Sequence, residues 1–463
     1  MKKNLFENKK FIFVYSSLVL LSILFVVAEI GSNMQIYSFI TPYKITLLSA
    51  GLLFLFSLFT NPKNTLKYIF DALRKSVKPI SFLVVMIAIY IIFDIISLSY
   101  TNNVHISLWK YVTIVSMLAI LFLSILMIHS PEFKNSLNWI LAFISGASLI
   151  LLIYVWVYEF MFGTTMYVRR LSLLIDYNKF SMALFFGFLS SMFLASRVIK
   201  NIKIKNITMF ITTILYYSTI HLTASRRTSR MMNIIILILF IAFLVDSYKN
   251  SVNKKKNISF YIVGAITTYL VTVLIISSYT FITTEKILSA TMGQGGEGLS
   301  VDKGTAEVLD DLHTLDKREL IWTLAINSYK DYPLKNKIIG KGSSAHFDIY
   351  NEKKNSEIIN MKYWKKIPEN TLDPHNFILV DLLDGGIIKV IITFLMLISI
   401  PVYLFKIRKI VPYDTLFIFL IALTVLGDIS ISSRYGILDN KMVWLILLML
   451  FALNKDEKLN QVK

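Results

Sequence analysis

His375 is the residue of this chain best placed to move a proton. It stands in the run Asp373-Pro374-His375-Asn376, which follows a long polar segment and opens an apolar run from Phe377 to Ile400. The pattern predicts a helix start at the water boundary of a membrane span, with Asp373 as its cap, Pro374 in first position and His375 in the first turn. The positive end of the helix dipole disfavours imidazolium there, leaving a neutral ring with one nitrogen free to act as a general base. The competing reading is a polar interfacial residue that completes a cap. A second chemistry comes from arginine. Arg169 and Arg170, then Arg226, Arg227 and Arg230, then Arg434 occupy three short segments between apolar runs. The planar guanidinium group binds phosphate through paired N–H donors, and several from separate loops can converge on one polyanion. Arg226 and Arg230, four apart, share a helix face. Anionic headgroups or local ion pairs are the alternative use of these arginines.

The elements that must hold these residues are membrane helices. The chain has 463 residues, 55% hydrophobic, with mean hydropathy +0.62, and its apolar runs recur at lengths of about 20 residues, enough to cross a bilayer. The fold class expected is all-α: a polytopic membrane protein with about 12 transmembrane helices and one large, partly helical extracytoplasmic loop. The spans fall near residues 11–30, 41–60, 79–99, 108–129, 137–161, 179–197, 206–223, 231–247, 258–281, 375–400, 412–430 and 440–453. The first reads as uncleaved, because no small-residue cleavage pattern follows it. The absence of cysteine excludes disulfides and thiolate metal sites. The net charge of +19 lies mainly in short inter-span segments rather than along a soluble face, so nucleic acid is not the implied partner.

Those charges predict topology instead. Lys2, Lys3, Lys9 and Lys10, then Lys63 to Lys78, then Arg197 to Lys205, then Lys249 to Lys256, then Lys406 to Lys409 all fall on one side if the spans are counted as above. The positive-inside rule makes that side cytoplasmic, with both termini on it. The three arginine-bearing segments then lie on the outer side, where the rule depletes arginine. The chain divides into residues 1–282 with nine spans, a large extracytoplasmic loop at 283–373, and residues 374–463 with three spans. The loop begins with a glycine-rich stretch at Gly293 to Gly298 and continues into a predicted helix from Asp316 to Lys330, ended before Pro333. Gly340-Lys341-Gly342-Ser343-Ser344 reads as a tight turn without Walker spacing. Tyr363 and Trp364 offer an interfacial or sugar-facing platform.

In order and spacing these motifs resemble the O-antigen ligase and polysaccharide polymerase family of bacterial membrane glycosyltransferases. The resemblance rests on Ser225-Arg226 at the start of a middle span, and on Arg318 with Trp322 and Pro333 in the loop. Gly340 and Gly342 in the turn, then His375-Asn376 followed by Asp384-Gly385-Gly386, complete it. Lys389 departs from the pattern, since the family often has a small residue there. The resemblance implies transfer of a glycan from a polyprenyl-diphosphate carrier to a sugar hydroxyl on the outer face of the inner membrane. That activity is an oligosaccharide repeat-unit polymerase for O-antigen or capsule, or alternatively a ligase acting on lipid A-core. It implies an inverting, metal-independent enzyme with no cofactor. His375 would be the base, and Arg226, Arg318 and one of Arg169 or Arg170 would bind diphosphate, with Asn376 and Arg434 beside the substrate. Its partners would be the lipid-linked oligosaccharide donor, a glycan or lipid-linked acceptor, membrane lipid and other polysaccharide-assembly proteins.

Asp381 and Asp384, three apart inside the tenth span, are expected to serve helix packing or acceptor orientation, and Asp428 likewise. His105, His129, His221, His313 and His346 have no metal-like spacing and read as interfacial or loop residues. Two other classes fit a many-span protein. A lipid-linked glycan transporter gives no role to the single long loop, and no internal repeat is visible. A scaffold has no need of His375 and several loop arginines.

Overall fold

The computed structural model describes residues 5–32, 40–162, 171, 177–223, 225–250, 254–293, 314–363, 372–432 and 436–461. It is an all-α polytopic membrane fold, with no β-sheet among the described residues. In chain order the helices are α1 (Lys9–Ser32), α2 (Pro42–Thr60), α3 (Pro62–Val77), α4 (Ser81–Ser97), α5 (Val104–His129), α6 (Ser136–Phe162), α7 (Tyr177–Val198), α8 (Ile202–Leu222) and α9 (Arg226–Asn250). They continue with α10 (Lys254–Gly293), α11 (Thr314–Lys330), α12 (Leu334–Ile339), α13 (His346–Asn351), α14 (Lys353–Tyr363), α15 (Phe377–Ile407), α16 (Pro412–Ser432) and α17 (Lys441–Gln461). All twelve expected segments are helical. Ten described stretches are long and apolar enough to span a membrane, and α8 and α17 complete the twelve without meeting both criteria.

Three elements differ from the sequence expectation. The basic segment after α2, read as a connection, is the helix α3. Thr65, Ile69, Ala72 and Ser76 are buried along one side while Lys63, Lys67, Arg74 and Lys75 are exposed, the pattern of an amphipathic helix at an interface. Pro62 starts it because its missing N–H and fixed φ suit the first turn. Helix α10 runs past the expected span end near residue 281 to Gly293, so the long connection begins as helix. Helix α15 is discontinuous: Gly386 has φ 62° and ψ −164°, and the backbone is helical on both sides of it.

The contacts divide the chain into two units. In the unit formed by residues 17–49 and 135–304, α7 packs against α6, α8 and α9. Fourteen of its residues, including Phe180, Phe185, Phe186, Phe188 and Phe193, are buried, which is what a helix surrounded by others requires. In the unit formed by residues 1–16, 50–134 and 305–463, α15 packs against α4, α16 and the loop helices α11 and α12. The loop has a small core of its own, with Ile321, Ala325, Tyr332, Ile349, Tyr350 and Ile359 packed on Leu383 of α15. That core fastens the loop helices to the first turns of α15.

Candidate active site at the start of helix α15

Asn376, not Asp373, caps α15. Its side-chain oxygen accepts from the N–H groups of Ile378 at 2.9 Å and Leu379 at 3.4 Å, and the helix begins at Phe377. His375 therefore precedes the cap rather than lying in the first turn. Two capping side chains compete here: Asn376 is nearer the apolar run, and Asp373 is engaged by His375. The Asp373 carboxylate accepts from the His375 backbone N–H at 2.7 Å and lies 3.0 Å from His375 Nδ1. One carboxylate oxygen thus closes the turn and orients the ring. His375 has φ 48°, a left-handed conformation uncommon for a side chain of this size.

With Nδ1–H directed at Asp373, the other ring nitrogen, Nε2, is left as the proton acceptor. The His375 side chain is 41% exposed, whereas that of Asp373 is 6% exposed. Burial opposes ionisation of Asp373, but the hydrogen bonds it accepts from the side chain and backbone N–H of His375 outweigh it, so the carboxyl is held below its usual range. The result is a buried carboxylate steering an accessible imidazole, an arrangement suited to taking a proton from a hydroxyl.

The loop helix reaches the same place. Trp322 Nε1–H on α11 donates to the carbonyl of Pro374 at 2.8 Å. Arg318 is one turn earlier on α11 and half-buried, and positions i and i+4 share a helix face. Arg318 and His375, 57 positions apart, are thus tied to one end of α15 by a single indole hydrogen bond. The Asn376 oxygen is committed to its cap, which leaves its amide NH₂ for any substrate contact. Arg226 and Arg230 begin α9 in the other unit, and both are exposed. Arg169, Arg170 and Arg434 lie outside the described residues.

Beneath His375 the fold answers the break in α15. The break frees the carbonyls of Leu383 and Asp384, and the N–H groups of Lys341 and Gly342 donate to them at 3.1 and 2.9 Å. Such close backbone approach requires glycine. A Cβ on Gly340 would sit 2.1 Å from the Asp384 carbonyl oxygen, and one on Gly386 would sit 2.4 Å from that of Ile338. The Asp384 carboxylate then receives the N–H groups of Ser344 (2.8 Å) and His346 (3.0 Å), and lies 2.9 Å from His346 Nδ1. On the other side, Thr101 and Ser107 hydroxyls donate to the Ser343 carbonyl at 2.6 and 3.0 Å. The expected turn at 340–344 is therefore a wedge between α4, α5 and α15, its backbone groups paired partly with the freed carbonyls of α15 and partly with side chains.

Next to the wedge is a buried ion cluster that sequence reasoning missed. Lys389 Nζ is 2.7 Å from Asp94 and 3.3 Å from Asp381, and Lys110 pairs with the other Asp94 oxygen. Tyr90 and Thr393 hydroxyls each donate to Asp381 at 2.7 Å. Lys389, the departure from the family pattern, thus has an ionic role here, and its stem lies against Gly385, where an added Cβ would meet it at 2.3 Å. The signal was present: Asp94 and Lys110 each sit inside an apolar run, where a lone charge requires a partner. His346, read as a loop residue, is fully buried against Asp384.

No model of a known protein family matches the chain, and no curated protein matches it.

Proposed function

We propose that the chain is a membrane glycosyltransferase that transfers a glycan from a polyprenyl-diphosphate carrier to a sugar hydroxyl on the outer face of the bacterial inner membrane. The observation that carries this reading is the Trp322–Pro374 hydrogen bond, which couples the Arg318 helix to the Asp373–His375 pair. A base held beside a cationic group suits a reaction in which a hydroxyl loses a proton while an anion departs. In that reaction His375 Nε2 takes the proton of the acceptor hydroxyl as its oxygen bonds to the anomeric carbon. The bond from that carbon to diphosphate breaks, and the electron pair leaves with the diphosphate. Arg318 would stabilise the leaving charge through paired N–H donors. Attack from the face opposite the leaving group inverts the anomeric centre.

Within this class we favour a repeat-unit polymerase, in which both substrates are lipid-linked, over a ligase acting on lipid A-core. Purified protein given only a polyprenyl-diphosphate repeat unit should build a ladder of longer lipid-linked chains. His375→Ala should slow that reaction by about two to four orders of magnitude, the usual loss of a general base. Consumption of the donor only when lipid A-core is added would replace the polymerase with the ligase. An active His375→Ala protein would remove the catalytic reading altogether.

The broken helix and the buried charges support one second reading, a transporter, because discontinuous helices with membrane-embedded charges often bind ions. In such sites the freed backbone groups face the ion. Here Lys341 and Gly342 occupy two freed carbonyls, and the ammonium groups of Lys110 and Lys389 fill the cationic positions between the carboxylates. The enzyme reading therefore keeps precedence.

A further inference from the structure

A polar cleft of about 540 Å³ opens beside the wedge. Its walls come from the α4–α5 connection, which contributes Tyr100 and Asn102, and from α12 and the turn after it, which contribute Lys335, Asn336 and Lys341. Asp348 and Glu352 complete it. The cleft lies at the same end of the bundle as His375. Tyr100 follows the end of α4, and the wedge joins α4 and α5 to the second turn of α15.

Several walls are fixed before any ligand arrives. The Tyr100 hydroxyl donates to the Ile339 carbonyl at 3.1 Å, Asn103 Nδ2 donates to Asp348 Oδ1 at 2.6 Å, and Lys341 Nζ stands 4.3 Å above the Tyr332 ring. Facing them is a set of groups that both donate and accept: the Asn102 and Asn336 amides, two lysines and two carboxylates. Tyr100, which is 39% exposed, adds an aromatic surface. Two ammonium groups are balanced by two carboxylates, so the cleft does not select an anion as an arginine cluster would. Asp348 and Glu352 have no third acidic or histidine partner at metal-binding distance among the described residues. Closely spaced donors and acceptors, an aromatic surface, no net charge and a volume within the range of small-ligand sites fit a polyhydroxylated molecule.

We propose that this cleft is a glycan-binding subsite that holds sugar residues of the growing polymer remote from the bond being made. That the bound glycan is the polymer rests on the transferase reading; that the cleft binds an uncharged oligosaccharide does not.

The test uses the full-length protein in lipid nanodiscs. The probe is the oligosaccharide freed by mild acid from the lipid-linked pool of cells that make the protein, so that it carries neither lipid nor diphosphate. Saturation-transfer NMR should show contact with its sugar protons. The signal should fall roughly fivefold or more in an Asn336→Ala/Glu352→Ala variant, since both side chains reach the cleft from partly exposed positions and each removes hydrogen bonds to the ligand. His375→Ala should keep the full signal, and added inorganic phosphate should not displace the probe. In the transfer assay the cleft variant should raise the KM for acceptor and leave kcat within about twofold. No sugar contact, contact unaltered by the double variant, or displacement by phosphate would each overturn the proposal. Contact that depends on the cleft in a protein without transferase activity would leave the glycan subsite standing and sink the transferase reading instead.

Discussion

Removing the ammonium of Lys389 tests how the membrane-embedded part of the fold is held. At about 3 Å and an effective dielectric of about 20, each of its two contacts, with Asp94 and Asp381, is worth roughly 5 kcal/mol of gross attraction. The desolvation of an ammonium and two carboxylates cancels most of that gain, so the net contribution of the whole cluster is small. Deletion of one member is a different matter. In Lys389→Met the carboxylates of Asp94, Asp381 and Asp384 remain buried, with Lys110 the one ammonium left beside Asp94 and with Asp384 hydrogen-bonded to His346. Their desolvation is then uncompensated, and breaking a buried pair in this way costs about 3–5 kcal/mol. Lys389→Met/Asp381→Asn removes one charge of each sign and should recover at least half of the loss. Thermal unfolding in one fixed detergent, followed by intrinsic fluorescence, should place the single variant about 10 °C below the parent and the double variant between them. A single variant within about 1 kcal/mol of the parent, or a double variant less stable than the single, would refute the assignment of Lys389 as the charge that balances this cluster.

Three further outcomes follow from the site. Because the folded-state Asp373 carboxyl titrates below its ordinary value, the stability it contributes is present above about pH 4 and is lost as pH falls through the lowered pKa. Melting curves from pH 7 to pH 3 should show that Asp373→Asn is less stable than the parent at the upper end and converges with it at the lower. Gly386→Ala combines φ 62° with a Cβ 2.4 Å from the Ile338 carbonyl oxygen, and should cost at least about 2 kcal/mol, read as a lower yield of folded protein and a lower Tm. Trp322→Phe keeps the ring but loses the bond to Pro374; a stability loss of about 1 kcal/mol with a larger proportional fall in glycan transfer is expected, and transfer equal to the parent would show that the loop helix need not be fastened there.

Most of the architecture was legible because hydropathy and the helix period act locally. Twelve apolar runs became twelve helices, Lys330 ended the loop helix ahead of Pro333, and the glycines at 340 and 342 made a turn. The failures were equally local in origin. The segment from Pro62 to Val77 was read for its lysines, although Thr65, Ile69, Ala72 and Ser76 recur at helical spacing on one side. The cap of α15 was assigned to the first residue able to cap, while the choice between Asp373 and Asn376 depends on which of them a neighbouring side chain engages.

The interior of the site was legible in a different sense: its residues were visible and their partners were not. Asp381 and Asp384 stand out as costly charges inside a span, and Lys389 as a departure from an expected small residue, but a single position does not show which charge it pairs with. The cost of an unbalanced charge in a low-dielectric interior makes such residues informative as a set. Asp94 and Lys110 interrupt two neighbouring apolar runs, and a lysine in a third run nearby has few stable choices other than to join them. The same reasoning explains why Asp384 and Asp381, one turn apart, have separate duties. Asp381 faces Lys389 and the hydroxyls of Tyr90 and Thr393, while Asp384 faces the backbone of the wedge and His346. The break at Gly386 is what makes this division necessary. A continuous helix would satisfy its own carbonyls, whereas the broken one needs donors from outside, and the turn that brings them also brings Ser344 and His346 N–H groups that require an acceptor. Asp384 supplies it, so the acidic residue, the glycine pair and the distant Gly340 turn form one physical unit that spacing along the sequence does not reveal.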